Sequence, residues 1–126
     1  MNEATAQLNS YRQSPRKVRV VANAIRGKSV EEAKNRLNFI VKKAVSPLHK
    51  LLNSAVANAK NLGLDSKVLM VKSVTVDGGS ILYRRRPAWH GMAHPIHKRT
   101  SHIKIVLSEL KDSKIKRLKD SKKKTT

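Results

Sequence analysis

The sequence predicts an α+β fold: a first strand, three helices, then further strands. Three observations carry that order. Apolar residues alternate with a period of two near the N-terminus and again between residues 103 and 107. Three segments with helical apolar spacing and end signals lie between residues 14 and 63. A β-branched run from Val68 to Val76 follows them.

The first strand rests on Ala4, Ala6 and Leu8, which alternate with Thr5, Gln7 and Asn9. The first helix opens at Ser14, a suitable N-cap, with Pro15 at the first helical position. Val18, Val21, Ala22 and Ile25 then form one apolar stripe, and Gly27 offers a C-terminal stop with positive φ. Ser29 and Glu32 read as a capping box for a second helix, with a link of about two residues between helices. Glu31 and Glu32 also lie where the helix dipole favours negative charge, and Ala33, Leu37 and Ile40 supply the apolar face. The third helix is the most apolar, with Ala44, Leu48, Leu51, Leu52, Ala55, Val56 and Ala59 in helical spacing. Pro47 belongs in its first turn or marks a kink, Ala55, Ala57 and Ala59 allow a neighbour close approach, and Gly63 ends it.

Beyond Val76, Asp77-Gly78-Gly79 reads as a turn, or as a bulge in a strand continuing through Ile81, Leu82 and Tyr83. The stretch from Arg84 to Lys98 has no helical or strand periodicity and is far longer than an ordinary hairpin loop. Ile103, Ile105 and Leu107 mark the last strand. Residues 1–110 therefore read as one domain. Residues 111–126 read as a basic tail too polar to fold when free.

Composition narrows the function. The 126 residues hold 28 Lys+Arg against 8 Asp+Glu, a net charge of +20. Such a balance points to a polyanionic partner, most commonly nucleic acid. There is no cysteine, so disulfide scaffolds, Cys-ligated zinc and Cys nucleophiles are excluded. No apolar run approaches the ~20 residues of a membrane span, and the first ten residues lack the pattern of a signal peptide. Basic residues are spread along the whole chain, which suits a protein embedded among many phosphates better than a module reading one duplex face.

Arg84-Arg85-Arg86 is the densest arginine cluster, and guanidinium forks hold phosphate oxygens in pairs. Trp89 in the same stretch is suited to stacking on an unpaired base, with packing against the domain as the structural alternative. His90, His94, His97 and His102 invite a zinc reading, but Gly91 and Pro95 break any helix that would align them, and no Cys or nearby carboxylate completes the set. They read instead as polar rings meeting phosphate, base or sugar; no metal and no cofactor is expected. No Walker-type loop, nucleophile elbow or carboxylate pair points to an enzyme. A DNA-reading helix-turn-helix would turn Glu31 and Glu32 toward phosphates.

Several motifs together carry a resemblance. Ser14-Pro15-Arg16-Lys17-Val18-Arg19, Ile25-Arg26-Gly27-Lys28, Lys42-Lys43-Ala44, Leu51 to Ala59, Val76-Asp77-Gly78-Gly79 and Lys98-Arg99-Thr100-Ser101-His102-Ile103 occur in this order. The ordered set, over about residues 3–109, resembles the universal large-subunit ribosomal protein twenty-two family. The resemblance implies three helices packed on a small three-stranded antiparallel sheet, with a long extended β-hairpin over about residues 80–102. It implies no catalysis. It implies a structural constituent of the large ribosomal subunit, cytoplasmic or organellar, that binds rRNA, supports subunit assembly and lines the nascent-peptide exit tunnel with its hairpin tip.

The rRNA contacts expected on this basis are Arg12, Arg16, Lys17, Arg19, Arg26, Lys28, Lys42, Lys43, Asn53, Asn58, Arg84, Arg85, Arg86, Lys98, Arg99, Thr100, Ser101 and His102. The tip expected in the tunnel is Trp89, His90, Gly91, Met92 and Ala93. There the family pattern Pro-Arg-Ala-x-Gly-Arg-Ala is replaced by Pro87-Ala88-Trp89-His90-Gly91-Met92-Ala93, so two arginines are lost and an indole is gained. Trp89 or Met92 would then narrow or grease the tunnel wall. The implied partners are large-subunit rRNA, neighbouring large-subunit proteins and the nascent peptide, with no membrane and no homo-oligomer. A stand-alone basic DNA-binding protein of nucleoid type is the alternative.

Overall fold

The computed structural model describes residues 2–109. Strand β1 (Glu3–Tyr11) is followed by helices α1 (Pro15–Ile25), α2 (Val30–Phe39) and α3 (Val45–Asn61). Strands β2 (Leu69–Gly78), β3 (Leu82–Pro87), β4 (Ala93–Lys98) and β5 (Ser101–Glu109) complete the order, with one 3-10 turn (Trp89–Gly91) between β3 and β4. An antiparallel three-stranded sheet runs β1-β5-β2, and β3 and β4 pair with each other as a separate two-stranded hairpin. The fold is the expected α+β arrangement of three helices on a small sheet.

The helices cover one face of that sheet. Val18, Val21, Ala22 and Ile25 of α1 are all buried, as their spacing requires. So are Leu48, Leu51, Leu52, Ala55, Val56 and Ala59 of α3, whereas Ala57 points to solvent. Ala4, Ala6, Ile103, Ile105 and Leu107 meet them from the sheet. Burial of these side chains supplies most of the drive to fold, at roughly 25 cal/mol per Å² of apolar surface.

Helix ends differ in detail from the sequence reading. Ser14 occupies the N-cap of α1, but its side chain makes no capping bond; Pro15 at the first position leaves one fewer donor to satisfy. Only half of the capping box at α2 forms: Ser29 Oγ accepts from Glu32 N at 3.3 Å. The Glu32 carboxylate turns instead to Arg36 at 2.9 Å and Lys28 at 3.6 Å. Pro47 sits in the first turn of α3 and does not kink it. At the far end Gly63 N donates to Lys60 O and Leu64 N to Ala59 O, a Schellman ending that needs the positive φ of Gly63.

Strand β2 solves a pattern puzzle. Leu69 and Val71 face the core, and so do Val74 and Val76, although the two pairs differ in parity. The register slips between Val71 and Ser73, leaving Lys72 as an extra residue. That bulge restores the inward face for the second half of the strand. The bulge therefore lies at Lys72 and not at Asp77-Gly78-Gly79. Asp77 and Gly78 continue the ladder opposite His102 and Ser101.

The connection between α1 and α2 is four residues, Arg26 to Ser29, longer than the two expected. The extra residues pair with the outer edge of β2: Gly27 N donates to Val71 O and Val71 N to Lys28 O, at 3.0 and 2.9 Å. Farther along the same edge Arg26 Nη2 donates to Val74 O at 2.7 Å. Arg19 donates through Nε and Nη2 to Val76 O at 3.1 and 2.9 Å. An open strand edge invites pairing with other chains, and here a loop and two guanidinium groups cover it. Arg26→Met is expected to lower stability by about 1 kcal/mol, because one charge-assisted bond is removed at a partly exposed site. A urea titration of full-length protein measures it, and an unchanged midpoint would refute the edge-guarding role.

Candidate nucleic-acid interface

The arm begins where β2 and β5 run out. Gly79 N donates to Thr100 O at 2.9 Å, one step beyond the Gly78–Ser101 pair. Thr100 Oγ1 then donates to Ser80 O at 2.6 Å. A Cβ on Gly79 would lie 2.4 Å from Thr100 Oγ1, so the close approach of the two chains demands glycine there. Beside this junction Ser10 takes a positive φ of 54° where β1 slips by one residue, and its N–H donates to His102 Nδ1 at 3.0 Å. That bond requires an unprotonated Nδ1.

Thr100 and Ser101 are 3% and 0% exposed, so they join the arm to the sheet and do not face outward. Asn58 is likewise engaged, donating from Nδ2 to Thr5 O at 2.8 Å and tying α3 to β1. Arg19 and Arg26 hold the edge of β2. Asn53 is exposed, 3.4 Å from His49 on the next turn of α3. Arg12, Arg16, Lys17, Lys42, Lys43, Lys98 and Arg99 lie at the surface, and His102 and Lys28 are half-buried. β1 ends and α1 begins at the end of the sheet where the arm leaves, which groups Arg12, Arg16, Lys98 and Arg99 there.

The stretch from Arg84 to Lys98 is not an irregular loop. Its six-residue strands pair from Leu82–Lys98 out to Pro87–Ala93. At about 3.4 Å per residue such a ladder extends roughly 20 Å. Neither face of this ladder is packed against the domain, so no burial pattern marks it in the sequence. Period two still sorts its side chains. Leu82, Arg84, Arg86, His94, Ile96 and Lys98 share one face, and Tyr83, Arg85, Pro87, Ala93, Pro95 and His97 share the other. Between residues 80 and 102 there are five Lys+Arg and no acid.

At the tip Ala88 N donates to Met92 O at 2.7 Å and Met92 N to Trp89 O at 3.1 Å. His90 and Gly91 take positive φ of 51° and 69°. Trp89 and Met92 are 69% and 61% exposed, so neither folds back onto the domain. His94 and His97 fall on opposite faces of the arm, and among the described residues no three potential metal ligands converge. Sequence reasoning passed over Tyr83, which sits directly across from His97. It also passed over Phe39 and Val41, exposed apolar side chains at the α2–α3 corner. Phe39 lies off the Ala33–Leu37–Ile40 stripe of α2, so the helical period itself places it outside.

The sequence model described as Ribosomal protein L22p/L17e matches residues 6–108, from β1 to the penultimate residue of β5. The chain belongs to that family. Large ribosomal subunit protein uL22 of Mesoplasma florum is 50% identical over 108 residues, covering 85% of this chain and 96% of that protein. The uL22 proteins of Pelobacter propionicus and Mycoplasma capricolum are 47% and 50% identical over 110 residues, each covering 86% of this chain and 99% of the relative. The L22p/L17e match stops before the basic tail, which also lies outside the described residues.

Gly79→Ala is expected to cost about 1–3 kcal/mol, since an added methyl must displace the Thr100 side chain and its bond to Ser80. Thermal melts measure the change. Amide exchange should rise at Gly79 and across β3 and β4 more than in α3; a uniform change would contradict the anchoring role of this junction.

Proposed function

We propose that this chain is a structural constituent of the large ribosomal subunit that binds its rRNA, supports assembly, and carries its hairpin tip to the wall of the nascent-peptide exit tunnel. The observation that carries the reading is the arm: a ladder bare on both faces, basic and free of acids, projecting from a domain of the L22p/L17e family. A two-stranded hairpin is marginal alone in water and gains order when it is packed. Its place is then in the subunit, in the cytoplasm, with neighbouring large-subunit proteins and the nascent peptide as further partners. No step of this role is catalytic.

The proposed phosphate contacts are Arg84, Arg86 and Lys98 on one face of the arm, Arg85 on the other, and Arg12, Arg16, Lys17 and Arg99 around its base. Lys28, Lys42, Lys43, Asn53 and His102 supply outlying contacts. Arg19 and Arg26 reach RNA only with donors left over from β2. Asn58, Thr100 and Ser101 act by holding the fold. The tip from Trp89 to Ala93 meets peptide, with the Met92 thioether where the family pattern has an arginine and the Trp89 indole where it has a small residue.

Gentle lysis and sedimentation test the assignment. Co-migration with large subunits through moderate salt is expected, and release with recovery on bulk DNA would refute it. On purified large-subunit rRNA, log affinity should fall linearly with log salt, because each neutralised phosphate frees a counterion. Arg84→Ala combined with Arg86→Ala should flatten that slope by about 0.7–0.9 for each phosphate left without its cation. An unchanged slope would remove these two side chains from the interface.

A further inference from the structure

We infer that the Tyr83–His97 pair is a stacking site for an unpaired rRNA base. This deepens the proposed rRNA binding and rests on it. Tyr83 and His97 are direct cross-strand partners in the β3–β4 ladder. Their rings meet edge to face, with centroids 5.0 Å apart and planes at 81°. An edge-to-face contact uses at most one face of each ring, so each keeps a free π-face. Tyr83 is 64% exposed, although it lies in the ladder and away from the tip.

The surroundings select the ligand. Arg85 and Pro95 are the next pair outward on the same face, and no carboxylate lies anywhere between residues 80 and 102. An aromatic face beside a guanidinium suits a nucleotide, with the base on the ring and its phosphate at the arginine. The opposite face, with Arg84, Arg86 and Lys98, offers charge but no aromatic ring other than that of His94. The two faces of the arm therefore do different work: one neutralises backbone alone, and the other adds to its single arginine a ring that receives a base. The phenol ring is placed by the register of the ladder and by its edge-to-face contact with His97. A pre-positioned ring loses little freedom on binding.

The test uses full-length protein and protein-free large-subunit rRNA, titrated at several salt concentrations. Tyr83→Leu is expected to weaken binding roughly 5- to 150-fold, the range for one stacked base. It should leave the salt slope unchanged, since every cation that meets a phosphate stays in place. Tyr83→Phe should bind like the unsubstituted protein, because stacking needs the ring and not the hydroxyl. Unaltered affinity of Tyr83→Leu would overturn the stacking site while leaving rRNA binding intact. Equal weakening in Tyr83→Leu and Tyr83→Phe would also overturn it, by assigning the effect to the hydroxyl. Failure of the unsubstituted protein to bind rRNA would overturn the broader reading itself.

Discussion

Strand β5 is the constraint on which the other elements depend. It is the middle strand, bonded to β1 on one side and β2 on the other, with Ile103, Ile105 and Leu107 turned into the core. It is also the direct continuation of the arm, separated from β4 by Arg99 and Thr100 alone. A hairpin with no layer against either face has little to hold it. Its fixed end is the β2–β5 ladder, sealed by Gly79, Ser80 and Thr100. Core packing in the domain thus fixes the direction in which the arm leaves, and the arm turns that direction into reach.

Charge does two kinds of work in this chain. Some of it completes the fold: Arg19 and Arg26 cover carbonyls on the outer edge of β2, and Glu32 of α2 binds Arg36 on the same helix and Lys28 in the preceding connection. Lys72, the residue extruded by the bulge, forms an ion pair with Glu3 on β1. These exposed pairs contribute little individually. Among the described residues most Lys and Arg pair with no acid, and Arg84, Arg85, Arg86, Lys98 and Arg99 are exposed. Counting basic residues alone would merge the two groups, whereas hydrogen bonds separate them.

Much of the domain was legible because its burial is periodic. The stripes Val18–Val21–Ala22–Ile25 and Leu48–Leu52–Ala55–Ala59 could only be helix faces against a core, and they are. The strands of the arm were legible only through family resemblance, because a ladder exposed on both sides leaves no alternation to read. The bulge at Lys72 was hidden for a related reason: it splits one apolar pattern into two halves of opposite parity. In the interface, sequence located the basic residues but not their directions. Thr100, Ser101 and Asn58 lie within recognisable motifs, yet their side chains serve the junction and the α3–β1 contact. Tyr83 and His97 stand fourteen residues apart, and only the register of β3 on β4 shows them to be one feature.

The central claim is that the arm's two faces meet different parts of RNA. A density map of the whole large subunit containing this chain tests it most directly. The account predicts an arm threaded between rRNA helices, with Arg84, Arg86 and Lys98 against phosphates and the Tyr83 side against an unpaired base. An arm lying free on the subunit surface, or a Tyr83 ring that meets no base, would contradict it.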